Sequence, residues 1–369
     1  MREPLPKLTI RDVELRSVVV PMAHSLVTRI KTINDMALLL IDLHTEEGIT
    51  GRAYLWGFSP RGNGYLAPIV RDLVAGCKGD AVVPLDLYTK NRKALTLFGH
   101  EGMTMIARSG VDMACWDALG QAAGQPLAAM LGGALDPIAA YNSNGMGLTN
   151  DLPVLADEAR RLVADGGFDM IKVRLGRDTL AQDMAALDAI RDAVGDEVAL
   201  PVDFNQGLDF ETALERGRAL DDAGVYWIEE PLVYDDFEGC ARLCAALKTP
   251  IQIGENFYGA KVLSQAIEAK ACTYTMPDLE RIGGVTGWRC AAAIAEEAGV
   301  PMSSHIFPEA SVHMMAVTPT AQRLEFVNWA DPILNDPLDV VGGRVLVPDR
   351  PGLGMTWNEG AVARYQVEL

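Results

Sequence analysis

PVDFN (201–205), WIEEP (227–231), IQIGEN (251–256), TMPD (275–278) and PMSSH (301–305) set Asp203, Glu229, Glu255, Asp278 and His305 at or just past the end of short apolar runs. The steps between these five residues are 26, 26, 23 and 27. A strand, a helix and two loops need roughly 30 residues. A polar group recurring at the C-terminal ends of successive parallel strands marks the catalytic rim of a closed barrel.

Outward from that repeat the strand–helix alternation continues on both sides. Upstream lie IAAYNS (138–143), a helix over 151–165, MIKVRL (170–175) and a helix over 179–194; downstream the last strand is RLEF (323–326). The pattern predicts an α/β chain, a (β/α)7β TIM-like barrel over 138–326 with no final helix. Before it, LTIRDVELRSVVVPM (8–22) and NDMALLLIDLHTEEGITGRAYLW (34–56) alternate apolar and polar residues, with a turn at Glu47-Gly48. MAHSLVTRIKTIND (22–35) has little strand pattern and is placed like a flap. From about 64 to 131 the period turns helical, with stops at Gly124 and Gly132-Gly133. Residues 1–132 therefore form an α+β capping domain with a flap near 21–35, and 334–369 is a C-terminal segment returning to it.

The 369 residues are 49% hydrophobic and carry a formal charge of −18. Nucleic acid and anionic membrane are expected to be excluded as partners, since both need a basic footprint. Cys77, Cys115, Cys240, Cys244, Cys272 and Cys290 contain no CxxC pair, which fits a reduced intracellular protein with buried thiols. With no signal-peptide core and no 18-residue apolar window, the expectation is a cytoplasmic protein.

Neighbouring strands are about 4.8 Å apart, so Asp203, Glu229 and Glu255 would converge. Three such charges stay ionised only around a cation, and oxygen-only ligation favours Mg2+. The competing reading has each acid capping a helix or facing solvent. Lys172 and Arg174, at i and i+2 of MIKVRL, share one face, the barrel interior. They either bind a carboxylate and its enolate charge or form interior salt bridges. Arginine does not titrate, whereas lysine becomes a base if buried near other cations. Asp278 would fix the His305 tautomer and raise its basicity. Glu325, desolvated, would donate a proton toward an enolate oxygen, or else pair with Arg323 or Arg281.

VDFNQ (202–206), WIEEP, GENFYG (254–259), MPDLERIGGVTGW (276–288), MSSHIFPE (302–309) and TPTAQRLE (318–325) together resemble the mandelate racemase subgroup of the enolase superfamily. The resemblance spans nearly the whole chain. It implies a cap over a barrel, Mg2+ on Asp203, Glu229 and Glu255, and α-proton removal from a bound carboxylate to give an enediolate. Lys172 matches the enediolate-stabilising lysine, Asp278 and His305 the base dyad, and Glu325 the acid bonded to the intermediate. Ser143 and Asn205 match supporting polar positions. Leu26, Ile30, Ile33, Trp56, Phe58, Leu97, Ile306 and Val327 match an apolar substrate pocket. Relatives are commonly symmetric, so a homo-oligomer is expected.

One position departs from that pattern. Arg174 stands where the racemase has a second lysine base, which leaves His305 as the base. One base suits β-elimination from a 2-hydroxy carboxylate, as in an acid-sugar dehydratase. The apolar pocket instead suits racemisation of an apolar or aromatic 2-hydroxy acid. A non-catalytic metal-binding barrel is the reading from another class, disfavoured by the complete set of polar residues.

Overall fold

The computed structural model describes residues 7–369. Strands β1 (Ile10–Val27), β2 (Thr32–Thr45) and β3 (Thr50–Trp56) form an antiparallel sheet, followed by α1 (Pro60–Ala75), α2 (Pro84–Ala94), α3 (Met103–Ala123) and α4 (Leu127–Met130). The Glu47-Gly48 turn is present, with Gly48 at φ +82°, a conformation that glycine adopts without strain. Helix α3 is buried around nearly its whole circumference. Its backbone comes so close to β3 that a Cβ added at Gly51 would strike the Ala114 carbonyl.

The flap differs from its expected form. β1 and β2 stay paired through it as a long hairpin, with Leu26 opposite Ile33 and an irregularity between Pro21 and Leu26. Thr28–Lys31 form the tip, where the Thr28 amide bonds the Lys31 carbonyl and the Thr28 hydroxyl bonds the Lys31 backbone. The alternation is hidden because the irregularity shifts the register, and such a shift exchanges the faces. The hairpin is also tied down: Leu148 N–H donates to the Val27 carbonyl, and Arg29 donates to the Gly176 carbonyl at 2.6 Å.

The barrel follows with β4 (Ile138–Asn142), α5 (Leu152–Ala164), β5 (Val173–Arg174), α6 (Leu180–Val194), β6 (Val202–Asp203), α7 (Phe210–Asp221), β7 (Ile228–Glu229), α8 (Phe237–Ala246), β8 (Ile251–Ile253), α9 (Ala260–Glu268) and β9 (Tyr274–Thr275). It ends with α10 (Leu279–Ile282), α11 (Gly284–Ala298), α12 (Pro308–Met315) and β10 (Leu324–Phe326). β5 to β9 pair in sequence, in parallel, and β10 pairs with β4. Parallel bridges close the two remaining gaps, Asn142 to Ile171 between β4 and β5, and Met302 to Thr275 and Ala321 between β9 and β10. PMSSH is thus a bridge rather than a full strand. Helix starts follow local chemistry: Thr179 and Gln182 form a capping box on α6, and Asp151, Asp209 and Asp236 cap α5, α7 and α8.

The C-terminal residues serve both units. β11 (Val340–Val341) and β12 (Arg344–Val345) form a hairpin on β4, while α13 (Glu359–Tyr365) leads into β13 (Gln366–Val367), which pairs with β1. The cysteines are all free, and Cys290 is exposed rather than buried. Among the described residues no helix is long and apolar enough to cross a membrane.

Candidate active site

Strand register brings the polar side chains together at the C-terminal rim. Arg174 pairs with Asp203, Asp203 with Glu229, and Glu229 with Gln252. Glu255 lies beyond the end of β8, after a turn at Gly254, whose N–H donates to Glu230 Oε1 at 2.8 Å. Phe58, Asn205 and Ile306, all of which line the cavity, have positive φ, a conformation held only where surrounding structure enforces it.

Lys172 Nζ lies 2.6 Å from Glu325, 2.7 Å from Glu229 and 3.4 Å from Asp203. Burial alone would lower its pKa, but Glu229, Glu325 and Asp203 drive it above the ordinary lysine value. These contacts favour the ammonium form of Lys172. Burial raises Glu229 to about 8, with Asp203 and Glu325 adding to the rise and Lys172 opposing it. Although burial favours the neutral form of Glu325, Lys172 and His305 pull it down to about 2, which favours the carboxylate. It pairs with neither Arg281 nor Arg323; the latter bonds Asp169.

His305 Nδ1 lies 2.6 Å from Asp278 Oδ2, and its Nε2 is 3.3 Å from Glu255. Burial would lower the imidazole pKa, but Glu255, the Asp278 hydrogen bond and Glu325 raise it to about 9. Asp278 also caps α10 by accepting from the Glu280 and Arg281 amides, and it takes a bond from Arg281 Nη1 at 3.1 Å. Arg174 donates to the Gly145 carbonyl at 2.7 Å. Asn205 clasps Asp203 through both its backbone N–H and its Nδ2.

The three expected metal ligands share one rim but do not yet meet at a point. Asp203 and Glu229 turn to Lys172, Glu255 turns to His305, and among the described residues no finished metal cage of three such groups is formed. The donor set nonetheless fits a hard divalent ion. Asp203, Glu229, Glu230, Glu255 and Glu325 crowd the rim, and Glu230 Oε2 is buried with no hydrogen-bond partner. Burial and then Glu255 hold Glu230 well above the carboxylate range, so added positive charge would relieve the crowding.

The polar rim opens into a cavity of about 760 Å3, its mouth included. Lys172, Arg174, Asp203, Asn205, Glu255, His305 and Glu325 form its floor, and Leu26, Ile30, Ile33, Trp56, Phe58 and Ile306 its apolar wall. Leu97 is a correction: it is 96% exposed in the loop between α2 and α3 and does not line the cavity. Val327 lines a small apolar chamber next door, which shares Trp56 and Ile306 with the main cavity. Ser143 is buried behind the floor, its hydroxyl without a partner. Of the flap charges, Lys31 reaches the cavity; Arg29 and His24 do not line it.

Sequence reasoning missed three contributors. Arg281 and Trp329 line the cavity, and Glu280 bonds the Trp56 backbone. Arg281 follows Asp278 by three residues, one helical turn, which was the available signal. Trp329 lies just past β10, as His305 lies just past the Met302 bridge.

The family described as mandelate racemase / muconate lactonizing enzyme, N-terminal domain, matches residues 10–132, and enolase C-terminal domain-like matches 154–361. An enolase from the alpha-proteobacterium bal199 with bound Mg is 48% identical, with TM-score 0.96 and coverage of 98% of this chain and 100% of that one. A Bradyrhizobium enolase complexed with magnesium and mandelic acid is 40% identical, with TM-score 0.94 and coverage of 99% and 100%. The L-talarate/galactarate dehydratase of Salmonella typhimurium is 33% identical over 343 residues, 92% of this chain and 85% of the relative.

Proposed function

From the premise that the chain belongs to the mandelate racemase / muconate lactonizing enzyme family of the enolase superfamily, we propose that it is a Mg2+-dependent lyase. It removes the α-proton of a 2-hydroxy carboxylate and expels the β-oxygen, as an acid-sugar dehydratase does. The observation that carries this reading is the single base. His305 is braced by Asp278 at 2.6 Å, while Arg174 is tied to a carbonyl and Lys172 sits among carboxylates that favour its ammonium form.

His305 Nε2 takes the α-proton, and the electron pair of the broken C–H bond delocalises into the carboxylate as an enediolate. When that pair returns to form the C=C bond, the β C–O bond breaks. The imidazolium gives its proton to the departing oxygen, and the resulting enol becomes a 2-keto-3-deoxy acid. Lys172 supplies positive charge to the enediolate oxygen, and Glu325 holds both Lys172 and the Ile306 N–H. Mg2+, held by Asp203, Glu229 and Glu255, would balance the charge of the substrate carboxylate and take the pull of Glu255 off the imidazole. The reading also keeps the enzyme a cytoplasmic homo-oligomer.

A second reading rests on the wall. Trp56 stacks on Phe58 with ring centroids 4.0 Å apart, and Trp329 lies 5.7 Å from Trp56. This surface suits an aryl 2-hydroxy acid, and the Bradyrhizobium neighbour holds mandelic acid. The test is a screen of acid sugars and aryl 2-hydroxy acids with Mg2+ or with EDTA. Keto-acid formation from an acid sugar, abolished by EDTA, supports the lyase. Racemised mandelate with no keto acid would overturn it in favour of the second reading.

A further inference from the structure

β3 is the edge strand of the cap sheet, so the N–H groups on its outer side have no strand partner. Gly57 N–H points inward to the Ala37 carbonyl, which leaves the Trp56 amide facing out toward the barrel. It donates to Glu280 Oε2 at 3.0 Å, and Glu280 is fully buried. The bond crosses from barrel to cap. Two residues back along β3, the Tyr54 hydroxyl donates to Glu309 of α12 at 2.6 Å, a second buried carboxylate gripping the same strand.

Glu280 takes no part in the chemistry above, yet it shares one turn with residues that do. Asp278 braces His305, and Arg281 bonds Asp278 and the Glu255 carbonyl while its guanidinium lies 5.6 Å from the Phe58 ring. The segment 278–281 therefore carries the base's partner on one side and the cap's aromatic wall on the other. Trp56 and Phe58 contribute the rings that a substrate's distal end would meet.

We propose that Glu280 is a positioning residue that seats the Trp56–Phe58 wall of the cap over the His305–Asp278 dyad and so governs recognition of the substrate's distal end. The proposal rests on the α-proton chemistry above for its kinetic consequence, but not for the seating itself. Losing Glu280 strips the Trp56 amide of its acceptor and lets the wall shift while His305, Asp278 and Lys172 keep their partners. Glutamine retains an acceptor oxygen at the same reach.

The test compares Glu280→Ala and Glu280→Gln with the wild type by amide hydrogen exchange and by kinetics. In Glu280→Ala, exchange at Trp56 should rise about tenfold while the inward-facing amides of β3 stay protected, the loss of one buried hydrogen bond being of that size. KM for an extended substrate should rise about tenfold, with kcat and its pH profile held within about twofold, whereas KM for a three-carbon 2,3-dihydroxy acid, which keeps the β-oxygen but has no distal end, should not move. Glu280→Gln should restore both readouts. Unchanged exchange at Trp56 in Glu280→Ala, or kcat falling in step with kcat/KM, would overturn the proposal. A wild type that turns over no 2-hydroxy acid would defeat the lyase reading instead, and the exchange measurement would still decide whether Glu280 seats the wall.

Discussion

His305 Nδ1 and Asp278 Oδ2 lie 2.6 Å apart, joined by a parallel bridge between their backbones, while the other ring nitrogen, Nε2, faces Glu255. The arrangement fixes the tautomer and turns Nε2 to the floor of the cavity. Asp278→Asn keeps the shape but can present an amide N–H to Nδ1, which reverses the tautomer. The expected loss in kcat is about 10^3- to 10^4-fold, with KM little changed. Steady-state kinetics checks this, and a loss under tenfold would separate the dyad from the chemistry.

The imidazole stands near 9 with Glu255 as its largest upward pull. Neutralising that carboxylate should release it. Titration of the ring by NMR is expected to give a lower pKa with saturating Mg2+ than with EDTA, by one unit or more on the order of magnitude of a close charge pair. A base that deprotonates only above pH 8 in both conditions would contradict the assigned metal ligand Glu255.

Lys172 is the shared cation of Asp203, Glu229 and Glu325. Lys172→Met removes it and leaves buried carboxylates uncompensated, at a cost of about 3–5 kcal/mol. Denaturant unfolding in EDTA should register that loss, and Mg2+ should recover part of it by occupying the same carboxylates. If Mg2+ gives no added stability to wild type or variant, the rim does not hold the ion.

His313 predicts an acid-sensitive fold. It is fully buried, accepts from the Ala128 N–H at Nδ1 and donates from Nε2 to the Leu353 carbonyl. Burial lowers its pKa from 6.5 to about 4. Because the folded value lies below the unfolded one, its contribution is complete above pH 6.5 and is lost as pH falls toward 4. The magnitude is about 3 kcal/mol. Asp112 and Glu309, raised by burial to about 7, act in the opposite direction, so the comparison must be differential. Between pH 7 and 4, His313→Gln should lose less stability than wild type in parallel urea titrations.

What the sequence made legible follows from period. Chemistry repeating every 23 to 27 residues pointed to a barrel rim, because parallel strands joined by crossover helices return a side chain to the same end at that interval and seven such repeats in series fit a closed barrel. Side-chain orientation was less legible. Asp203 and Glu229 occupy the expected strand ends, but which way each carboxylate turns is decided by Lys172, 31 residues before Asp203. For Glu325, burial favours the neutral acid while the ammonium 2.6 Å away favours the carboxylate, a balance that depends on a partner 153 residues distant in the sequence. The flap hid its strands behind a register shift, and Leu97 had only positional matching to place it in a pocket.

The most direct measurement is the fate of the α-carbon in D2O with Mg2+ and an acid-sugar substrate. One base on one face predicts a 2-keto-3-deoxy product and recovered substrate whose configuration is unchanged, with any deuterium entering on the face from which the proton left. Recovered substrate of inverted configuration, deuterated at the α-carbon without loss of water, would contradict it.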